Sequence, residues 1–186
     1  MSFPVTEFAF ETPRLIIRDW RDSDREPWAA MGRDPEVMAN LGPLIDRTQA
    51  DALLDRQRAL QARLGHTFWA LENRATGDFL GFCGLKIMPE RIPGLEDVIE
   101  IGWRLRRDAW GQGFAREAAQ ASMDWGWANL SVDRIAAITT PANVRSWGLM
   151  LRLGMTRRHD LDFMHPMLVA DDPLAPHITY EILRPQ

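Results

Sequence analysis

Cysteine and long apolar stretches are nearly absent from this 186-residue sequence. Its one cysteine, Cys83, cannot form an intramolecular disulfide, which agrees with a reducing compartment. No apolar run reaches the roughly 18 residues of a membrane-spanning helix, and the N-terminal residues match neither a signal peptide nor an Arg-rich transit peptide. We therefore expect a cytoplasmic protein that does not enter a membrane. Cys83 lies in an apolar stretch and is expected to be a buried packing residue.

Signatures of several function classes are absent as well. The net charge is −4 and no run of Lys or Arg occurs, which argues against a nucleic acid or an anionic membrane as partner. No segment has the glycine, lysine and hydroxyl pattern of a nucleotide triphosphatase loop, and none has the Gly-x-Ser-x-Gly turn of a hydrolase. The four histidines lack metal-site spacing, so no metal is expected. A small molecule or a local part of a protein is the expected partner.

Composition and patterning indicate one domain over residues 1–186. Hydrophobic residues make up 46% and charged residues 26% of the chain, and neither a repeat nor a linker divides it. The expected fold is α/β in the mixed α+β sense, with a mostly antiparallel sheet and helices on both faces. Strands are predicted over residues 14–20, 67–72, 79–88, 98–105, 134–139, 156–163 and 178–183. Helices are predicted up to residue 34 and over residues 48–64, 114–130 and 143–153.

Capping signals accompany these helices. The run Thr48-Gln-Ala-Asp51 resembles a capping box in which Asp stands where Glu is usual. Gly65 and Gly154 follow the last periodic residues of two helices and are predicted to end them.

The stretch DAWGQGFARE, residues 108–117, places Gly111 and Gly113 between an alternating strand and an Ala-rich helix. Glycine lets the backbone approach a ligand closely, and the first N–H groups of a helix point outward at the positive end of its dipole. The turn therefore suits a phosphate. A nucleotide triphosphate, a dinucleotide and the pyrophosphate of coenzyme A are the candidates.

A dinucleotide is the stronger of the rival ligands. Gly111 and Gly113 match the first two glycines of the Rossmann motif, and Asp133 lies where a ribose-binding carboxylate is expected. The third glycine position is Arg116, however, and only one strand-helix-strand unit surrounds the turn. The sequence therefore favours coenzyme A over a dinucleotide.

Four segments together carry a resemblance to a known family. The run IEIGWRLRRDAWGQGFAREAA, followed after a strand by NVRSWGLMLRLGM, resembles the acetyl-CoA-binding core of the GNAT superfamily, in particular its RimJ/RimL-like branch. The opening ETPRLIIRDW and the late DFMHP and HITYEIL are similar to the ends of that branch. The resemblance implies a sheet that splays between its fourth and fifth strands. It places the pantetheine arm of acetyl-CoA in that opening and the pyrophosphate on the glycine turn.

The resemblance also implies which residues bind acetyl-CoA. The backbone amides of Trp103, Arg104 and Leu105 would meet the pantetheine. Those of Gly111, Gln112, Gly113, Phe114 and Ala115 would meet the pyrophosphate, and Asn143 the pantetheine amides or the thioester. Asp108 departs from the family, which usually has Gln or Arg there. Its charge would weaken binding unless it points away or pairs with Arg106 or Arg107.

Acetyl transfer to an amine requires a neutral amine and a leaving thiol. An α-amino group is about a tenth neutral at pH 7, against about one part in 2,500 for lysine, so an N-terminal amine asks less of a base. Glu100, on the polar face of its strand, is the first candidate for that base, with Asp162 in reserve. The resemblance assigns proton donation to Ser146, because Met150 stands where many family members have tyrosine. Tyr180 is the second choice.

The predicted function is an N-acetyltransferase that moves acetyl from acetyl-CoA to a primary amine by direct attack. The amine belongs to a protein N-terminus or a small molecule, and the enzyme is a monomer or a homodimer. A non-catalytic acyl-CoA-binding regulatory module is the alternative. Ordinary structural roles also remain open for the solvated or paired Glu100, the helix-capping Asn143 and the first-turn Ser146. The acceptor pocket is expected to be built from the first pair of helices, the loop over residues 90–97 and the segment over residues 160–172. The acids of the loop and the segment, Glu96, Asp97, Asp160 and Asp162, suit a cation.

Overall fold

A computed structural model describes residues 8–88 and 91–186 of the chain. Its first half contains β1 (Ala9–Glu11), β2 (Leu15–Arg18), α1 (Arg25–Gly32), α2 (Pro35–Met38), α3 (Arg47–Leu64), β3 (Phe68–Asn73) and β4 (Phe79–Ile87). Its second half contains β5 (Ile99–Leu105), α4 (Phe114–Asn129), β6 (Arg134–Thr139), α5 (Val144–Arg152), β7 (Thr156–Arg157), β8 (Phe163–Met164) and β9 (Pro176–Leu183).

The strands form a mixed sheet that is mostly antiparallel. Its order is β1-β2-β3-β4-β5-β6-β9-β7, with β8 also paired to β9, and β5 with β6 is the parallel pair. Buried side chains of α1 and α3 pack with Phe68 and Phe82 on one face. Those of α4 and α5 pack with Leu85 and Ile135 on the other. The predicted fold class, with helices on both faces, is confirmed.

The sheet opens between β5 and β6. These strands pair at Ile99 with Ile135 and at Glu100 with Ala136, and then diverge. On the other side, β5 stays paired with β4 as far as Leu105. The splay that the resemblance implied is therefore present. Its strands are fifth and sixth here because β1 adds an edge strand that the sequence patterning did not predict.

The predicted capping box of α3 is wrong. The helix begins at Arg47 and its N-cap is Asp46, whose carboxylate accepts from Gln49 N at 2.8 Å. Gln49 Oε1 in turn accepts from Asp46 N at 2.9 Å, so the reciprocal box lies two residues earlier than predicted. Asp is as good an N-cap as Thr, and the helix begins after Asp46, the earlier of the two candidate caps. At the other end Gly65 has φ +74° and ends the helix, as predicted.

The predicted strand over residues 156–163 is also wrong. β7 ends at Arg157, a short 3-10 turn covers His159–Leu161, and β8 begins at Phe163. Asp162 binds Arg157 at 2.5 Å and accepts from Thr179 N at 3.1 Å, which folds the segment back on itself. Charge pairing of this kind leaves no trace in the apolar alternation from which the strand was predicted.

Two further findings concern predicted environments. Cys83 is fully buried on β4, and burial raises the pKa of its thiol to about 12, so its predicted packing role is confirmed. Among the helices within residues 8–88 and 91–186, none is both long and apolar enough to cross a membrane.

Candidate active site

The free edge of β5 presents backbone groups to the opening. Hydrogen bonds from Met88 N to Val98 O and from Arg106 N to Leu80 O, both 2.8 Å, lie at the two ends of the β4–β5 ladder. Because the ladder is antiparallel, the even-numbered residues of β5 bond to β4 and the odd-numbered ones point away from it. The N–H groups of Trp103 and Leu105 therefore face the opening, where β6 has diverged. This edge is suited to an extended ligand that contains amide groups.

Arg104 is placed differently from the other two predicted pantetheine contacts. Its even position directs its backbone N–H toward β4, opposite Phe82, and away from the opening. The alternation of a strand accounts for this, since three consecutive amides cannot all face one side. The guanidinium of Arg104 lies over the rings of Trp28 and Phe82, on the face covered by α1 and α3.

The glycine turn brings backbone N–H groups to the start of α4. Gly111 has φ +73° and Gly113, the N-cap, has φ +83°, and both values are favourable for glycine alone. The first backbone bond of the helix runs from Glu117 N to Gly113 O at 3.1 Å. The amides of Phe114 and Ala115 therefore precede the helical ladder and lie at the positive end of the dipole. An anion such as a pyrophosphate suits this position.

Side chains from the segment between β1 and β2 hold the turn in shape. Arg14 donates to Gln112 O at 2.9 Å and binds Glu117 at 2.6 Å. Thr12 donates to the same Glu117 carboxylate at 2.6 Å. Within the loop, the Gln112 side chain donates to Asp108 O at 2.7 Å. These bonds fix the loop before a ligand arrives, which lowers the entropy lost on binding.

The unusual Asp108 is neutralised by a neighbour. Its carboxylate makes a bidentate pair with Arg106, at 3.0 Å to Nε and 2.5 Å to the terminal nitrogen. The hydrogen bond from Arg106 lowers the pKa of Asp108 below its ordinary value. Asp108 thus meets the condition under which its charge does little harm to a neighbouring phosphate.

Asn143 and Ser146 begin α5 across the opening from β5. Asn143 is the N-cap and accepts from Ser146 N at 3.3 Å, while its amide donates to Thr139 Oγ1 at 3.0 Å. Ser146 is half-buried in the first turn. Met150 is 1% exposed and belongs to the core, and the alternative donor Tyr180 is also buried there. Of the two candidate proton donors, Ser146 and Tyr180, Ser146 is the one at the start of α5.

Glu100 is a buried carboxylate beside the opening. It is 9% exposed, and the ammonium of Lys86, the only lysine in the chain, lies 3.1 Å from it. Glu100 occupies the last β5 position that pairs with β6, so its side chain is at the point where the sheet divides. Both the carboxylate and its partner are on the face covered by α1 and α3, where Lys86 lies over Phe68.

Two histidines near Glu100 were not predicted as site residues. His165 and His177 have ring centroids 5.0 Å apart. Burial lowers the pKa of each below 6.5, and Glu100 acts in the opposite direction on both, which places its charge nearby. His177 Nδ1 lies 3.2 Å from Ala175 O, so Nδ1 carries the proton and Nε2 has a lone pair. They come from different segments, and no short sequence spacing announces the pair.

The predicted acidic acceptor lining is partly neutralised. Asp160 makes a bidentate pair with Arg158 at 2.9 and 2.7 Å. Asp162, the reserve base, makes one with Arg157 at 2.6 and 2.5 Å. Residue 90, the first of the predicted 90–97 loop, lies outside the described residues. Within the described part of the chain, no cluster of three His, Cys, Asp or Glu side chains is arranged to hold a metal ion.

The opening, the glycine turn and the parallel β5–β6 pair agree with one domain family. A profile of the acetyltransferase (GNAT) domain matches residues 14–156, well over half of the chain. The chain belongs to the GNAT acetyltransferase family. It is an acetyl-CoA-dependent acetyltransferase. This finding argues against the alternative in which the glycine turn and Asp133 bind a dinucleotide.

Curated relatives are similar in sequence to this chain over most of their length. YkkB, an uncharacterised protein of Bacillus subtilis, is 32% identical over 145 residues, which are 77% of this chain and 83% of YkkB. An uncharacterised N-acetyltransferase of Bacillus licheniformis, p20, is 29% identical over 148 residues, or 78% of this chain and 81% of p20.

Solved GNAT-type structures superpose on nearly the whole chain. An acetyltransferase of Agrobacterium tumefaciens gives a TM-score of 0.76 at 22% identity, covering 98% of this chain and 96% of that one. Spermidine N-acetyltransferase of Vibrio cholerae, with CoA and spermine, gives 0.71 at 13% identity, covering 93% and 97%. RimL, a ribosomal alpha-N-protein acetyltransferase in complex with coenzyme A, gives 0.73 at 14%, covering 95% and 98%. These likenesses establish the shared fold.

Proposed function

We propose that this enzyme transfers acetyl from acetyl-CoA to a primary amine by direct attack, and that it is a RimJ/RimL-like N-acetyltransferase. The observation that carries the proposal is the opening between β5 and β6. A free strand edge with the amides of Trp103 and Leu105 leads from Glu100 to the glycine turn. One extended molecule with a thioester at one end and a pyrophosphate at the other matches this arrangement.

The residues along the opening suit acetyl-CoA in a defined direction. The amides of Gly111, Gln112, Gly113, Phe114 and Ala115 would bind the pyrophosphate, because they lie at the positive end of α4. Trp103 and Leu105 would bind the pantetheine amides through the β5 backbone. Asn143, at the N-terminus of α5, would lie by the thioester end. Arg104 has no backbone role in this arrangement.

Glu100 is the proposed general base. Its carboxylate would take a proton from the acceptor amine, directly or through one water, as the amine nitrogen bonds to the acetyl carbon. An N-terminal α-amine is the easier acceptor, since about a tenth of it is already neutral at pH 7. A backbone N–H of β5 would stabilise the negative charge that develops on the acetyl oxygen.

Ser146 is the proposed donor to the leaving thiolate. The carbon–sulfur bond breaks as the tetrahedral intermediate collapses, and the sulfur takes a proton from the Ser146 hydroxyl, which regains a proton from water in the same step so that no serine alkoxide is left. A weak acid is enough here, because a thiol with pKa near 8.5 is a fair leaving group. Direct attack is favoured over an acyl-enzyme because Cys83 is fully buried and its pKa is raised to about 12.

The relatives add support but leave the acceptor open. One is described as an N-acetyltransferase, and two structural neighbours are a spermidine and a ribosomal-protein acetyltransferase. The alternative, a regulatory module that binds acyl-CoA without turnover, is kept because Met150 fills the place of the usual tyrosine.

The test combines binding and turnover in one preparation. Calorimetry measures acetyl-CoA affinity, and a thiol reagent follows release of CoA with polyamines, amino-acid amines and short N-terminal peptides. We expect binding together with amine-dependent thiol release. Binding without release for any amine class would favour the regulatory module. An absence of binding would contradict the assignment of the opening to acetyl-CoA.

A further inference from the structure

The side chain of Arg104 is a half-buried cation that has no carboxylate partner among the described residues. Its guanidinium carbon lies 5.2 Å from the ring centroid of Trp28 and 5.6 Å from that of Phe82. One terminal nitrogen is 3.6 Å from Met38 Sδ, which is a weak acceptor. The Nε atom is buried and has no hydrogen-bond partner. Aromatic faces stabilise the cation in part, but one strong donor is left unsatisfied.

A buried arginine elsewhere in the protein, Arg18, has the carboxylate partners that Arg104 lacks. Arg18 is 2% exposed and pairs with both oxygens of Asp24, at 2.7 and 2.9 Å. Its Nε donates to Glu72 at 2.7 Å. Arg104 has none of these partners, and burial lowers its pKa to about 10. A guanidinium held this way disfavours folding, so a ligand that completes its hydrogen bonds would gain affinity from it.

The position of Arg104 relates it to the acceptor side of the site. Glu100, Gly102 and Arg104 alternate on the same face of β5, the face covered by α1 and α3. Phe68 packs over Gly102, 2.6 Å from the place a Cβ would occupy, so an aromatic surface lies between the two charged residues.

We propose that Arg104 binds a carboxylate of the acceptor, and that the acceptor is a short acidic peptide or an acidic N-terminal segment. The inference rests on the proposed function, since it requires the acceptor amine to lie at Glu100. Four residues along a strand separate the two Cα atoms by about 13 Å. A free α-amino acid carries its amine and carboxylate too close together to reach both residues. A peptide can reach both when its carboxylate is on the second or third residue, because each residue spans up to about 3.6 Å.

The test uses two peptides that differ in one charge. One carries Glu and the other Gln at the second residue, both with free amines and amidated C-termini, and a second pair carries the change at the third residue. Calorimetry measures the affinity of each peptide for the CoA-loaded enzyme, and thiol release measures its turnover. The enzymes are the wild type, Arg104→Met and Arg104→Lys, with the exposed Arg63→Met as the matched control.

We expect the wild type and Arg63→Met to bind the Glu peptide of one pair about tenfold or more tightly than its Gln partner. Arg104→Met should abolish that preference by weakening the binding of the Glu peptide and leaving the affinity for the Gln peptide unchanged. Arg104→Lys should retain part of the preference. The affinity for acetyl-CoA and the thermal stability of Arg104→Met should not fall. Equal preference in Arg104→Met and the wild type, or no preference in the wild type, overturns the inference. A loss of acetyl-CoA affinity in Arg104→Met overturns it too, because Arg104 would then serve the cofactor. Failure of the proposed function looks different: acetyl-CoA binds, and no amine releases thiol.

Discussion

The proposed cofactor side and the proposed acceptor side of the opening are built in different ways. The cofactor side uses backbone groups from one continuous stretch, Trp103 to Ala115. The acceptor side brings together side chains from β4, β5, β9 and the loop after β8, including Lys86, Glu100, His165 and His177. A site made of consecutive backbone groups leaves a pattern in the sequence. A site made of distant side chains depends on the fold that assembles it.

The two sides also differ in how their charges are balanced. Around the glycine turn, Asp108 is paired with Arg106 and Glu117 with Arg14. On the acceptor face, Arg104 keeps an unsatisfied donor. The first region is therefore preorganised by its own contacts, whereas the second has binding capacity that a substrate can use. Changes on the two sides should accordingly affect different kinetic quantities.

The largest effect is expected for Glu100→Gln. Loss of the base should lower kcat about a hundredfold, within the usual range for a general base, and leave acetyl-CoA affinity unchanged. Steady-state kinetics and calorimetry measure the two quantities. Glu181→Gln is the control, because Glu181 is a buried carboxylate on β9 that pairs with Arg134 at 3.2 Å. Activity of Glu100→Gln within twofold of the wild type would remove Glu100 from the mechanism.

The next effect is expected on the cofactor side, from Gly113→Ala. An L-residue at φ +83° is strained by about 1–2 kcal/mol. When the backbone of the turn changes conformation to relieve this strain, acetyl-CoA binding should weaken about tenfold. Gly65→Ala is a matched control, since Gly65 has φ +74° and no heavy atom within 4 Å of a new Cβ. It should lower the melting temperature without changing the dissociation constant. Equal affinity in Gly113→Ala and Gly65→Ala would contradict the assignment of the turn.

A smaller effect is expected for Ser146→Ala. The leaving thiol needs little help, so kcat should fall only about three- to tenfold, with KM for acetyl-CoA unchanged. The exposed Ser131→Ala, beyond the end of α4, serves as control. Solvent viscosity is varied to check that kcat reports the chemical step rather than product release. If the kcat of Ser146→Ala does not depend on viscosity and equals that of the wild type, another group or water protonates the thiolate.

The smallest effect concerns pH and the histidine pair. His165 and His177 have folded-state pKa values below 6.5, mainly because of burial. Below pH 6.5 the unfolded chain takes up these protons first, so stability should fall as the pH falls through that range. The double variant His165→Asn, His177→Asn should lose less melting temperature between pH 7 and 5.5, by roughly 2–4 °C. The exposed His159→Asn should behave as the wild type. An equal loss in all three proteins would contradict the lowered pKa values of this half-buried pair.

Sequence patterns predicted the fold, and the position and backbone shape of the glycine turn, because these depend on local signals. Alternation located β5, and the glycines located the turn at φ values that other residues avoid. The capping box of α3 was misplaced because two capping residues compete within three positions. The strand over residues 156–163 failed because the Arg157–Asp162 pair folds it back.

The acceptor face could be predicted only in part. Glu100 was proposed as the base from the sequence because it lies on the polar face of the strand that leads to the glycine turn. His165 and His177 come together only when β8 pairs with β9, which no local pattern encodes. The surroundings of the Arg104 side chain could not be predicted for a related reason: the rings of Trp28 and Phe82 come from α1 and β4, far away in the sequence.

The central claim is that one extended acetyl-CoA molecule occupies the opening between β5 and β6. A crystal structure with coenzyme A bound tests it most directly. We expect the pyrophosphate to lie within hydrogen-bond distance of the amides of Gly111 to Ala115. We also expect the pantetheine alongside Trp103 and Leu105, with the sulfur between Glu100 and Ser146. Coenzyme A bound elsewhere, or with its sulfur away from Glu100, would contradict the account.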